Sequence, residues 1–193
     1  SGFKDIYGGL HLKYKVNPDI AIFGKSIGNG YPISAIIGRK NIMQVAQDTF
    51  ISSTMWTDRL GFIAANATLK KLKKFKINKK IASYCIKIKN GLSDLARKNK
   101  IKILISGQNS ILSLKFEYPN NSEILTYFTQ EMLKKNFLAG SQVATTYSYN
   151  EKIINRYLKE VDKVFKKINL CLKRGKFPLK DKIKHSTFKR LTG

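Results

Sequence analysis

The sequence predicts an α/β chain, in which the end of a large α/β domain is followed by a small α+β domain. Two short apolar segments joined by glycines come first, and a long stretch with apolar residues three and four apart fills the middle. The last half then follows the order strand, strand, helix, strand, helix. We expect residues 1–76 to belong to the large domain and residues 77–193 to form the small one.

The large-domain part is predicted to contain two strands. "NPDIAIFG" (17–24) begins with a turn signal and continues as an apolar strand, and "ISAIIGR" (33–39) is the second strand. "GNGYP" (28–32) predicts a tight connection between them. A short helix is expected over 40–47 and a polar, hydroxyl-rich loop over 50–59.

Two long helices are predicted next. From about residue 60 the spacing favours one stripe on a helix, formed by Leu60, Ile63, Ala64, Ala67, Leu69 and Leu72. Residues 80–99 continue the helical pattern, with apolar positions at Ile81, Cys85, Ile88, Leu92 and Leu95.

The small domain is predicted to open with strands over 101–107 and 110–117, joined by "GQN". A helix with a cap-like Asn-Ser-Glu start follows over 121–136, and the segment 137–148 could hold another strand. Residues 150–172 predict an amphipathic helix. Its apolar face is formed by Ile153, Ile154, Tyr157, Leu158, Val161, Val164, Phe165 and Ile168.

Composition limits the function classes. Hydrophobic residues make up 42% of the chain, enough for a core, and no apolar run approaches the length of a membrane span. The net charge of +25 would suit nucleic acid or an anionic membrane, but the lysines are spread along the whole chain. We therefore favour lysines on solvated faces and keep a basic nucleic-acid-binding module as an alternative.

Cysteine and histidine do not predict a metal site. Cys85 and Cys171 lie far apart without metal-type spacing, and we expect them to be reduced in a cytosolic protein. His11 and His185 are the two histidines, and neither has a carboxylate pair or second histidine at ligand spacing. His11 is predicted to be a surface or packing residue.

Lys25 stands at the end of the first predicted strand, with Gly24 before it and Gly28 and Gly30 after it. A lysine at the end of a buried strand is costly unless it is paired or used. A desolvated amine loses its proton more readily and can form a Schiff base with an aldehyde, most often pyridoxal phosphate. The pattern alone favours an ordinary loop lysine, since most lysines beside glycines are of that kind.

The segment "PDIAIFGKSIGNGYPISAIIGRKNIM" (18–43) resembles the signature around the cofactor lysine of class III, fold-type I, pyridoxal-phosphate-dependent aminotransferases. "SGFKDIYGG" (1–9) and "FISSTMWTDRLGFIAANATLKKL" (50–72) are similar to the segments that flank this signature. The chain resembles the glutamate-1-semialdehyde aminomutase-like group, which includes aminotransferases of surface-polysaccharide pathways. Weaker matches to the C-terminal domain of that group occur at 127–140, 150–168 and 185–193.

This resemblance implies that Lys25 holds pyridoxal 5′-phosphate through a Schiff base and later moves a proton as general acid and base. It implies that Thr54 binds the cofactor phosphate of the other subunit in a homodimer, with Ser53 assisting. Gly28 and Gly30 are expected to serve turn geometry. From the residues alone, Thr54 could instead cap the following helix, although Asp58 is the better cap.

The substrates implied by the resemblance are a small-molecule amino donor and a carbonyl acceptor. The resemblance also implies a cytoplasmic protein that binds neither a membrane nor a specific nucleic acid. Where the wider class often has glycines and Asn-Pro, this chain has "MWTDRLG", which indicates the polysaccharide-like branch. Trp56 could line a substrate pocket or lie at the dimer contact. Arg59 and Arg190 could meet a carboxylate or form salt bridges. Net transamination and an internal amino shift both remain open.

The resemblance covers only the C-terminal part of such enzymes. The phosphate-binding loop, the aromatic residue that stacks on the ring and the aspartate that pairs with the pyridine nitrogen would all lie upstream. We therefore expect a chain truncated at its N-terminus, with exposed strand edges and apolar faces. A non-catalytic remnant is a further alternative.

Overall fold

The computed structural model describes residues 2–184 and divides the chain into two compact units that meet in sequence at residues 81 and 82. Each unit contains its own antiparallel sheet, one with two strands and one with three.

The first unit begins with two short helices that the sequence did not indicate, α1 (Gly2–Asp5) and α2 (Leu10–Lys13). Strands β1 (Ile20–Phe23) and β2 (Ala35–Gly38) confirm the two predicted strands. They pair antiparallel, from Ile20 opposite Gly38 to Phe23 opposite Ala35.

A single turn of 3₁₀-helix (Lys25–Ile27) directly follows β1. After β2, helix α3 (Lys40–Met43) and a second 3₁₀-helix (Gln44–Asp48) occupy the predicted short helix. The segment from Thr49 to Asp58 is the predicted loop.

Helix α4 (Arg59–Lys74) begins as predicted, but its inward face differs from the predicted stripe. The residues that α4 buries are Gly61, Ala65 and Leu72, whereas Leu60 and Ile63 are more than half exposed. Gly61 approaches the segment before β2 so closely that a Cβ there would lie 3.1 Å from the Cβ of Ile33. This close approach turns the glycine face inward and leaves the larger side chains outside.

Helix α5 (Ile77–Lys98) confirms the second long helix, beginning in the first unit and ending in the second. Its predicted apolar positions are buried, apart from a partly buried Leu95.

The second unit contains strands β3 (Ile103–Gln108), β4 (Ile111–Phe116) and β5 (Gln142–Ala144), in that order across the sheet. The hairpin closes with Gln108 opposite Ile111. Its loop is therefore residues 109–110, whereas the predicted "GQN" connection covers 107–109. Gly107 has a φ of 109°, and a Cβ there would lie 2.3 Å from the carbonyl oxygen of Ile111. Only glycine fits this position without strain.

Helices α6 (Asn121–Leu133) and α7 (Glu151–Arg174) confirm the remaining predictions. Asn150 caps α7 by accepting a hydrogen bond from the Ile153 amide at 2.9 Å, and Gly175 ends it with a φ of 67°. Asn121 is expected to cap α6, but its side chain instead accepts a hydrogen bond from the Phe116 amide at 2.8 Å. Asn121 therefore ties the helix to β4.

The hydrophobic core cluster lies wholly in the second unit. Its centre is formed by three fully buried rings, Phe116, Phe128 and Phe165, whose centroids are 5.9–6.1 Å apart. The edge-to-face and tilted arrangement of these rings is favourable for aromatic side chains. Helices α6 and α7 are thereby packed onto β4.

Candidate functional site

Lys25 is the first residue of the 3₁₀ turn that follows β1, and its backbone has a φ of 51°. A non-glycine residue in this left-handed region costs about 1–2 kcal/mol. Such strain often marks functional positions.

The side chain of Lys25 is exposed, so the premise of a lysine at the end of a buried strand is wrong. Strand β1 alternates exposed and half-buried residues, and Ile22 is 73% exposed. Burial therefore does not explain this lysine. The Lys25 amine makes no hydrogen bond or ion pair with any residue in 2–184, which leaves it available to a ligand.

The chain after Lys25 is tightly folded around glycine. Gly28 is buried, and a Cβ there would lie 2.3 Å from the Tyr31 carbonyl oxygen and 2.7 Å from Cγ2 of Ile33. Gly30 has a φ of 111°. Both glycines therefore serve the turn, as expected. The turn that begins at Lys25 contacts α1 and α4, and its buried Ile27 anchors it.

Ser53 and Thr54 lie in the loop before α4, and both are exposed. The Trp56 amide donates to the Ser53 carbonyl oxygen at 3.1 Å, which closes a turn around Thr54. Asp58 caps α4 by accepting from the Leu60 amide at 2.8 Å. This excludes Thr54 as the helix cap. Its hydroxyl has no hydrogen-bond partner among the described residues, so it can bind a ligand.

The structure does not join Lys25 and Thr54 by a hydrogen bond within residues 2–184. The first unit has two open concavities, of about 490 and 230 Å³. The larger is lined by residues including Val16, Pro18 and Ile37, and the smaller by Phe3, Leu10 and Phe23. Neither is lined by Lys25, Ser53 or Thr54.

The structure gives less support for a functional role of the remaining candidate residues. His11 packs edge-on against Phe23 with ring centroids 6.3 Å apart, which supports a packing role. Trp56 and Arg59 are exposed. His185, Arg190 and the whole segment 185–193 lie outside the described residues.

Residues 2–184 contain no group of three histidine, cysteine or acidic side chains that could hold a metal ion. No helix in this range is both long and apolar enough to cross a membrane.

Two carboxyl groups with strongly shifted pKa values lie in the second unit, and the sequence did not indicate either. Burial of Glu131 opposes ionisation, but hydrogen bonds from Lys134, Lys167 and Gln130 outweigh it and lower its pKa to about 2. The amide of Asn99, at 2.8 Å, is the main cause that lowers the pKa of Asp162 to about 2. Both carboxylates are fully engaged in ion pairs, which indicates a structural role.

The arrangement around Lys25 therefore offers two kinds of chemistry. A strained, exposed amine beside close-packed glycines can form a covalent bond with an aldehyde. The Thr54 and Ser53 hydroxyls can donate hydrogen bonds to an anion such as a phosphate.

Comparison with known proteins bears on this chemistry. The family model for class-III aminotransferases matches residues 6–150. Glutamate-1-semialdehyde 2,1-aminomutase of Thermodesulfovibrio yellowstonii is 29% identical over an alignment of 185 positions that covers 87% of this chain and 43% of that protein. The 3-aminobutyryl-CoA aminotransferase of Cloacimonas acidaminovorans is 40% identical over 78 residues, covering 40% of this chain and 19% of that enzyme.

Among solved structures, the FumI protein of a Sphingopyxis species, in its pyridoxal-phosphate internal aldimine form, superposes with a TM-score of 0.82 at 18% identity. The superposition covers 89% of this chain and 42% of that protein. The likeness confirms the predicted fold, a part of a fold-type I transferase. The chain spans less than half the length of these relatives.

Proposed function

This chain belongs to the class-III aminotransferase family, and we propose that it contributes to an enzyme that uses pyridoxal 5′-phosphate to transfer an amino group. The observation that carries the proposal is the family match over residues 6–150, which includes the strained lysine turn. Because the chain spans about 43% of the aminomutase relative, the activity is proposed for the complete enzyme.

We assign to Lys25 the covalent attachment of the cofactor aldehyde. When bound, pyridoxal phosphate supplies an electron sink for charge that develops on the substrate carbon. Once its amine is free, Lys25 accepts and donates the proton at Nζ. The exposed amine fits this role, because no residue in 2–184 occupies it with a hydrogen bond or ion pair.

Thr54, assisted by Ser53, is proposed to donate hydrogen bonds to the phosphate of the cofactor held by a second copy of the chain. The Thr54 hydroxyl is exposed and unpartnered within the described residues. The loop around it carries large exposed apolar side chains, among them Phe50 at 96% and Trp56 at 57%. Such side chains are suited to a protein contact, which supports a homodimer.

The substrates proposed are a small-molecule amino donor and a carbonyl acceptor. The relatives include both an aminomutase and an aminotransferase, so both an internal amino shift and net transamination fit. The "MWTDRLG" segment supports a place in polysaccharide biosynthesis, and the reduced cysteines Cys85 and Cys171 support the cytoplasm. We assign residues 1–76 to the large cofactor-binding domain and 77–193 to the small domain.

Reductive labelling tests the role of Lys25. The chain is incubated with pyridoxal phosphate, reduced with borohydride and mapped by peptide mass spectrometry. We expect the phosphopyridoxyl group on Lys25 and its loss in Lys25→Ala. Lys15→Ala is the matched control, because Lys15 is also exposed, also in the first unit and has a φ of 55°.

Labelling spread evenly over many lysines, or unchanged total labelling in Lys25→Ala, would contradict the assignment. Thr54→Val should leave the labelled site at Lys25 unchanged but weaken retention of unreduced cofactor about 10-fold or more, the worth of a hydrogen bond to a charged group.

A further inference from the structure

Although lysine is spread along the whole chain, its local density is high in one short segment of the first unit. Seven of the eleven residues from 70 to 80 are lysines, whereas lysine and arginine together provide 37 of the 193 residues of the chain. No acidic residue occurs anywhere between Asp58 and Asp94. We call residues 70–80 the lysine corner.

The lysine corner comprises the end of α4, the connection at Phe75 and Lys76, and the first turn of α5. All seven lysines are exposed, whereas Leu72 is buried. At about 100° per residue, the four lysines that flank Leu72 lie away from its buried face. The end of α4 is therefore a convex ridge of ammonium groups.

Ion pairs do not neutralise most of the lysine corner within residues 2–184. Six of them, Lys70, Lys71, Lys73, Lys74, Lys76 and Lys79, form no ion pair with any residue in 2–184. In the second unit Lys87, Lys98, Lys134, Lys163, Lys166 and Lys167 each pair with a carboxylate. Other exposed lysines of that unit, such as Lys100, Lys102, Lys115 and Lys152, form no ion pair within the described residues and are scattered along the sequence. The lysine corner therefore differs by the close spacing of its lysines in the sequence, not by the lack of ion pairs alone.

Helix electrostatics accounts for only part of it. Lysines in the last turn of α4 complement the negative end of the helix dipole. Lys79 and Lys80, however, lie in the first turn of α5, at the positive end of that helix, where a cation is unfavourable. Placing positive charge there weakens the isolated chain, and an anionic partner would offset that cost.

We propose that the lysine corner binds the phosphodiester backbone of duplex DNA without sequence specificity. A helix with its side chains is about 10–12 Å wide and fits the major groove of B-form DNA, which is about 12 Å wide. A flat anionic membrane would meet only one line of this convex ridge. Lysine supplies point charges to phosphates, and the corner has no arginine to read base edges.

Fluorescence anisotropy with a short labelled DNA duplex of random sequence tests the proposal on the full 193-residue chain. We expect affinity to fall steeply, by about 10³-fold, between 50 and 200 mM salt if the six lysines without an ion pair meet phosphates. The variant Lys70→Gln, Lys73→Gln, Lys74→Gln, Lys76→Gln should bind far more weakly, with a salt slope shallower by about 3–4. Changing the same four residues to arginine should retain binding.

The matched control removes the same charge elsewhere, through Lys100→Gln, Lys102→Gln, Lys115→Gln and Lys152→Gln, all exposed in the second unit. It should keep most of the affinity and the original salt slope. Equal weakening in both glutamine variants would overturn the proposal in favour of net charge. Salt-independent binding would also overturn it, as would corner-dependent binding to phosphatidylserine vesicles with DNA binding unchanged.

Discussion

The two units of this chain differ in how far they bury their large apolar side chains. The second unit packs its large side chains into one cluster, in which Phe165 is completely buried. The first unit buries few, namely Phe3, Ile27, Ala65, Leu72 and Ile81, and leaves Phe50 96% exposed. The second unit therefore supplies its own stability, whereas the apolar surface of the first is available for contact with other protein.

Buried carboxylates are held differently in the two units. In the second unit Glu131 is buried and is held by two lysines, Lys134 and Lys167. In the first unit the buried Asp5 carboxylate pairs with Lys13 at 3.0 Å, and the pair of Arg39 and Asp19, 2.9 Å apart, is exposed on both sides. Exposed pairs contribute little because solvent screens them.

The largest expected effect is the loss of a core ring in the second unit. Phe165→Ala should lower the free energy of unfolding by about 3–5 kcal/mol, because it removes a buried aromatic side chain and leaves a cavity. Phe50→Ala is the control and should change it by less than about 0.5 kcal/mol. Urea unfolding followed by circular dichroism measures both. If Phe50→Ala lowered the free energy of unfolding as much as Phe165→Ala, the proposed difference between the two units would be wrong.

A smaller, pH-dependent effect is expected at Glu131. Its folded pKa of about 2 lies below the ordinary value of 4.5, so its contribution to stability is complete above about pH 4.5. That contribution is lost as the pH falls towards 2. Glu131→Gln should therefore be less stable than the wild type at pH 7, by about 1–3 kcal/mol, and closer to it at pH 3.

Asp19→Asn serves as the matched change in the first unit and should leave the unfolding free energy nearly unchanged at both pH values. The role of the Glu131 network would be refuted by a Glu131→Gln deficit that stays constant from pH 7 to pH 3.

The smallest expected effects on stability come from removing one helix cap in each unit. Asn150→Ala removes the cap of α7 and should lower the global unfolding free energy by about 1 kcal/mol. Asp58→Ala removes the cap of α4 and should instead speed amide hydrogen exchange in the first turn of α4, with little global effect. Hydrogen exchange with mass spectrometry separates the two. If Asp58→Ala destabilised the second unit as well, the units would not unfold independently.

Much of the fold could be predicted from the sequence, because periodicity reports which face of an element meets other residues. In α7 the predicted apolar positions are buried or half-buried, apart from Ile153, which is 40% exposed. Helix α4 shows where this fails. Leu60 and Ile63 have the spacing of a core stripe, yet the close approach of Gly61 to Ile33 turns the opposite face inward. Spacing alone cannot detect such a backbone contact.

For the candidate site, the motif around Lys25 and the Ser-Ser-Thr loop could be singled out from the sequence, because family signatures consist of residue types in order. The exposure of Lys25 and its left-handed backbone could not, since both depend on how β1 meets the glycine turn. The ion pairs of Glu131 were also missed, because Lys167 reaches it from another helix, 36 positions along the chain.

By itself, the sequence determined the family, the order of the elements, the lysine that stands after β1 and the concentration of charge in residues 70–80. These are properties of residue type and local spacing, which need no knowledge of distant contacts. Only the tertiary structure decided which apolar faces are covered, because burial depends on what packs across space. For that reason two units with similar local patterns differ so much in how they are held together.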